Sequence, residues 1–151
     1  MPEHAMRAFL LALAVISAPV LAQKMDNNDA AAMKQLAQSN LNEIAAGKIA
    51  VSKAQSPQVK SFGQQMVDDH TRMLEDLRTL AKAKGVALPE SASAKDMAQG
   101  KMLERKSGAD FDREFMQHMV KDHEAALKDS EALSTKAKDA DFRSAVQKAH
   151  G

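Results

Sequence analysis

Two histidines and two carboxylates carry most of the chemistry this sequence could perform. His70 and His123 close the same motif, Phe62-x-Gln64-x-Met66-Val67-x-Asp69-His70 and Phe115-x-Gln117-x-Met119-Val120-x-Asp122-His123. Glu43 precedes His70 by the same interval that separates Asp96 from His123. Imidazole and carboxylate together suit zinc, iron or copper where thiolates are absent, and this chain has no Cys. Buried carboxylates and imidazoles are costly unless they are paired or bound to a metal. Glu43, His70, Asp96 and His123 converging in an apolar interior would therefore make a site for a single divalent metal ion. The other reading is a pair of internal Glu–His and Asp–His hydrogen bonds that fix helix register.

Helices must position these groups. Ala, Lys, Met, Gln, Asp and Glu dominate a chain of 151 residues in which β-branched residues are few, a helix-forming composition. Asn28 or Asp29 can cap a first helix running to about Ala54, with Met33, Ala37, Ile44 and Val51 on one stripe. Ser56-Pro57 restarts the chain as N-cap and first helical residue, and Gly85 stops the second helix after Lys84. Its stripe is Val59, Phe62, Met66, Met73, Leu77 and Ala81. Ser91 or Ser93 can cap a shorter third helix ending near Ser107-Gly108. Asp110 can cap a fourth, from Phe111 to about Ala137, whose stripe includes Phe115, Met119, Ala126 and Leu133. Phe142 to Ala149 begins a fifth. At 100° per residue His70 falls near the centre of its stripe and His123 lies within its own. Asn40 is central on the first helix with Glu43 at its edge, and Asp96 falls between Met97 and Leu103.

An internal repeat ties these positions together. At an offset of 53 residues, positions 39 to 80 show 13 identities in 42, where unrelated sequences give roughly two to four. The repeat aligns Glu43 with Asp96, Gly47 with Gly100, and His70 with His123. A unit of one helical hairpin, present twice, predicts an all-α four-helix bundle with approximate two-fold symmetry. Symmetry would point all four candidate ligands inward. A helix-interior Gly costs about 1 kcal/mol, so the matched Gly47 and Gly100 point to close helix approach. Ten Met residues also suit copper(I), though Met at helical spacing ordinarily fills core.

Other classes fall away. A net charge of +1 and five Phe with no Tyr or Trp leave neither a basic face nor stacking platforms for nucleic acid. No nucleophile stands beside either His and no Gly-rich phosphate loop is present. An enzyme using His70 or His123 as general base is the weakest of the functional readings, and no catalytic residue is assigned. Residues 1–22 read as a secretory signal peptide, with Arg7, the apolar run Ala8–Ile16 and cleavage after Ala22. Residues 23–28 read as a disordered lead-in and 29–151 as the bundle. No later segment is a membrane span, so the expected location is the periplasm.

The chain resembles the exported bacterial family called domain of unknown function 4142. The carriers are Asn40-x-x-Glu43-Ile44-x-x-Gly47-x-x-Ala50, Val59-Lys60-x-Phe62, the two histidine motifs, Gly85-x-x-Leu88-Pro89 and Phe111-Asp112. The resemblance runs from about Ala30 to Phe142. It implies a ferritin-like helical bundle, exported to the periplasm or associated with the outer membrane, and no established reaction. Family members usually continue the last helix through a Leu-Pro segment to a further His, a position that His150 does not occupy. The Glu-x-x-His pattern of di-iron bundles is missing too, since Val67 and Val120 stand three residues before the histidines. A mononuclear site remains compatible with the sequence. The leading expectation is a small periplasmic or envelope protein binding one divalent metal ion. The alternative is a structural or protein-interaction module, partnered by an envelope protein or by a second copy of the chain.

Overall fold

A computed structural model of the chain describes residues 24–150. The expected signal peptide, residues 1–22, lies outside the described residues. Five helices are present: α1 Asn27–Lys53, α2 Pro57–Lys84, α3 Ala94–Leu103, α4 Gly108–Lys136 and α5 Ala140–His150. The fold is an all-α bundle, with no strand among the described residues.

Local signals place most boundaries. Pro57 opens α2, and Gly85 closes it in the left-handed conformation at φ 68°, with its N–H turned back to the carbonyls of Ala81 and Lys82. Ser93 caps α3 by accepting from the Asp96 N–H. Three boundaries differ from expectation. Asp26, rather than Asn28 or Asp29, caps α1, accepting from the Asn28 N–H at 2.9 Å. Ahead of the helix, Met25 is already buried in the core. Helix α3 ends at Leu103, before the Ser107-Gly108 breaker, and α4 begins at Gly108 rather than after Asp110.

The helices also pair differently from the expected two hairpins. Helix α1 packs along α2, and α4 packs along α5, while α3 makes only slight contact with α4 and serves as a connector. Two turns show the same construction. Asp112, in the first turns of α4, accepts from the Gln55 and Ser56 N–H groups at 3.0 and 2.7 Å, holding the α1–α2 turn. Asp29, in the first turn of α1, accepts from the Lys138 and Asp139 N–H groups at 2.9 and 2.7 Å, holding the α4–α5 turn. Asp29 thus serves the far end of the chain rather than its own helix. Ser52-Lys53-Ala54 and Thr135-Lys136-Ala137 occupy matching places before these turns, with Ala54 and Ala137 both buried. The pseudo-symmetry of the turns therefore relates α1–α2 to α4–α5. At the end near Lys84, α5 docks on α2 through ion pairs from Lys84 to Asp139 (2.8 Å) and Asp141 (2.7 Å).

Helix α1 crosses α2 at Gly47 and Gly63. A Cβ built on Gly63 would lie 2.8 Å from the Ala50 Cβ and 3.0 Å from the Gly47 carbonyl oxygen, so neither neighbour can yield without a backbone shift. Gly47 therefore does what its spacing suggested, but its partner Gly63 carried no such signal. A Cβ on Gly100 would meet only the free end of Ile49, at 2.8 Å. Overpacking costs about 1–3 kcal/mol, and replacing a helical Gly by Ala returns about 1 kcal/mol of propensity. Gly63→Ala should therefore lower the urea midpoint, whereas Gly100→Ala should leave it unchanged or raise it. Equal midpoints for the two variants would refute this account of the crossing.

The apolar core falls into two clusters. One contains Met33, Ala37, Leu74, Leu77, Ala81, Ala137, Phe142 and Val146. The other contains Ala50, Met66, Leu103, Phe111, Phe115 and Met119, with Phe111 and Phe115 stacked at 6.0 Å between centroids. Between the clusters, α1, α2 and α4 carry the polar residues Asn40, Glu43, His70 and His123.

Candidate metal centre

The polar layer sits where α1, α2 and α4 face one another. His70 on α2 and His123 on α4 lie edge to face, with ring centroids 5.9 Å apart and planes at 74°. Both are half-buried. The proton on each ring can be placed by chemistry. The Asn40 amide donates to the Leu36 carbonyl at 2.8 Å, so its oxygen faces His70 as an acceptor, 2.9 Å from Nδ1. His70 Nδ1 must then carry hydrogen. His123 Nδ1 is 2.8 Å from the Met119 carbonyl oxygen, which can only accept, so this nitrogen donates as well. Each imidazole keeps its Nε2 lone pair. Metal-bound histidines commonly show this arrangement, one nitrogen donating to a fixed oxygen and the other left for the ion.

Glu43 is 7% exposed, more deeply buried than its place at the stripe edge suggested, while Asn40 is half-buried. Its Oε2 has no hydrogen-bond partner. Burial pushes the Glu43 carboxyl up to about 7; His123 opposes the shift, and Asp122 and Asp96 add to it. Burial likewise pushes the His70 imidazole down to about 4, helped by the neighbouring His123 and opposed by Asp69. Glu43 and His70 are thus both pushed toward their uncharged forms, as expected for titratable groups taken out of water.

Asp96 does not join the histidines as the repeat implied. Its Oδ2 accepts from the Ser93 hydroxyl and, at 2.9 Å, from the Asn42 amide. Asn42 Oδ1 in turn accepts from the Ser93 N–H (2.9 Å) and the Gln38 amide (3.1 Å), which clamps the start of α3 onto α1. Asp96 is half-buried, at the edge of a groove of about 490 Å³ between α1 and α4 that Glu43 also lines. Among the described residues, no three carboxylate or imidazole side chains are grouped as a ready-made metal site. Asn40 was legible as a central polar residue, but its role in fixing the His70 tautomer was not, because that role depends on a neighbouring helix.

The family model for a domain of unknown function, DUF4142, matches residues 16–151. The chain belongs to the DUF4142 family. No curated protein and no solved structure matches it. The polar layer of this DUF4142 protein therefore has to be read from its own geometry. None of its described helices is long and apolar enough to cross a membrane.

Proposed function

We propose that this DUF4142 protein takes one divalent transition-metal ion (zinc, iron or copper) into its polar layer. The ligands are Nε2 of His70, Nε2 of His123 and the Glu43 carboxylate. The observation that carries this reading is the pair of imidazoles with Nδ1–H spent inside the fold and Nε2 unspent, beside a buried carboxylate oxygen that lacks a partner. Two imidazoles on one ion, with bonds of about 2.0–2.1 Å, have ring centres roughly 5–6 Å apart, and the observed separation is 5.9 Å. Completing the set requires the Glu43 side chain to swing toward the rings, which would also relieve its orphaned oxygen. Asp96 stays with Ser93 and Asn42. The protein acts outside the cytoplasm, in the periplasm or against the outer membrane, after removal of residues 1–22.

A second reading treats the layer as a device that fixes helix register in an envelope interaction module, partnered by another envelope protein or by a second copy. The Asn40–His70 bond and the lack of a grouped ligand trio favour it.

One experiment separates the two. The mature chain, residues 23–151, is purified from the periplasm without an affinity tag, and its metal content is measured beside His70→Gln and His123→Gln. The metal reading expects close to one ion per chain, lost in both variants, with a melting temperature that rises on adding the matching ion. No metal, and no stabilisation by added zinc, copper or iron, assigns the layer to register alone.

A further inference from the structure

We propose that the groove between α1 and α4 is a binding site for a linear aliphatic polyamine. Its volume of about 490 Å³ is far larger than a metal ion needs. Four carboxylates line it, from Glu43, Asp96, Asp122 and Asp129, and no Lys or Arg does. Acidic residues alone would be an ordinary solvated face. What distinguishes this groove is the Glu43 carboxylate on its inner wall, 7% exposed and with Oε2 lacking any hydrogen-bond partner. A buried acceptor of this kind is costly to leave unmade, and an ammonium donor satisfies both its charge and its hydrogen bond.

The shape and chemistry of the groove select among cations. Between the carboxylates the walls carry Leu36, Leu133 and several alanines, which suit methylene chains. No aromatic side chain lines it, so a quaternary ammonium would find no ring face to stack on. Primary and secondary ammonium groups fit better, because the polar lining is rich in acceptors. Asp122 and Asp129 lie two turns apart on α4, roughly 10 Å, close to the span between the terminal nitrogens of an extended triamine. Asp122 Oδ2 already lies 3.1 Å from His118 Nε2. The site uses neither histidine but shares the Glu43 carboxylate with the metal reading, so an ion and a polyamine would compete for it, and the polyamine is tested on the metal-free chain.

The test is calorimetric titration of the metal-free mature chain with spermidine and with putrescine, in a buffer of physiological ionic strength. Spermidine is expected to bind at a single saturable site, more tightly than putrescine. Glu43→Gln should weaken it at least tenfold, and Asp129→Asn should bring spermidine down to the putrescine level. The His70→Gln/His123→Gln double variant should bind as the parent does. Asp129 is exposed, so its variant stays informative even if Glu43→Gln perturbs the fold. No saturable spermidine binding, or binding equal in the parent, Glu43→Gln and Asp129→Asn, overturns the proposal. Loss of binding only in the histidine variant overturns it as well.

Discussion

Phe142→Ala should cost about 3–5 kcal/mol, the usual penalty for emptying a large aromatic site in a well-packed core. Phe142 is 0% exposed and is the largest side chain in the cluster that also holds Met33, Leu74 and Leu77. Among the described residues of α5, only Phe142 and Val146 are in that cluster. The remaining links of the segment are polar: the Lys84 ion pairs, a 3.6 Å pair from Lys148 to Asp76, a 2.7 Å bond from Arg143 to the Ala137 carbonyl and a 3.0 Å bond from Gln147 to the Ser134 carbonyl. Lys84–Asp141 is open to water at Asp141, and such pairs contribute little. Lys84–Asp139 is more sheltered, with side chains 17% and 14% exposed, but the aromatic ring buries the larger apolar surface. Domains of this kind are stable by only about 5–15 kcal/mol, so the variant should lose a large share of its stability. Urea denaturation would measure the loss. Hydrogen exchange should show α5 amides losing protection before those of α1 and α2. A loss below about 1 kcal/mol would mean that α5 is an appendage rather than a wall of the bundle.

The second large effect is a pair of opposed pH dependences in the metal-free protein. Glu43 has its folded value raised from 4.5 to about 7. As pH rises through that window the unfolded chain ionises first, so the Glu43 contribution to stability is present at low pH and lost toward neutrality. His70 has its folded value lowered from 6.5 to about 4. As pH falls through that window the unfolded chain takes the proton first, so its contribution is present near neutrality and lost toward pH 4. The two slopes overlap and largely cancel. Substituting either residue by Gln exposes the other. Glu43→Gln should lose stability on acidification and His70→Gln should lose it on going to neutral pH, each by about 3 kcal/mol across the window. Denaturation in chelator at several pH values between 4 and 7 is the measurement. Parallel profiles for the two variants would show that the groups are not buried in the folded state as described.

Much of the fold was legible in the residues themselves. Pro57, Gly85 and Ser93 announce their boundaries because each acts on its own backbone. The stripe positions Met33, Met66, Phe115 and Met119 are buried as their spacing predicts. What failed needed a second helix to decide it. Leu74 is 2% exposed, whereas its repeat mate Leu127 is 53% exposed. Ala126, expected on the core stripe, also faces solvent, because the second half of α4 stands away from α1 and leaves the groove. Sequence identity between α2 and α4 could not reveal that difference in packing. The early end of α3 was hidden because Glu104, Arg105 and Lys106 are good helix formers. Of the four candidate ligands, the structure brings His70, His123 and Glu43 to one layer. It gives Asp96 to a clamp whose other members, Asn42 and Gln38, come from α1.

The reciprocal clamps have a kinetic meaning. Asp29 reaches backbone groups 109 and 110 residues away, whereas each hairpin forms from neighbours in sequence. Contacts that close so long a loop are slow to gain and are made after local ones. The α1–α2 and α4–α5 hairpins should therefore assemble first, and the clamps should lock only once the two have docked. Groups that engage after the rate-limiting step change how fast a protein comes apart, not how fast it forms. Asp29→Asn should accordingly steepen the escape from the native state while leaving refolding untouched in stopped-flow traces. The two carboxylates would then govern the lifetime of the folded molecule rather than the route by which it is reached.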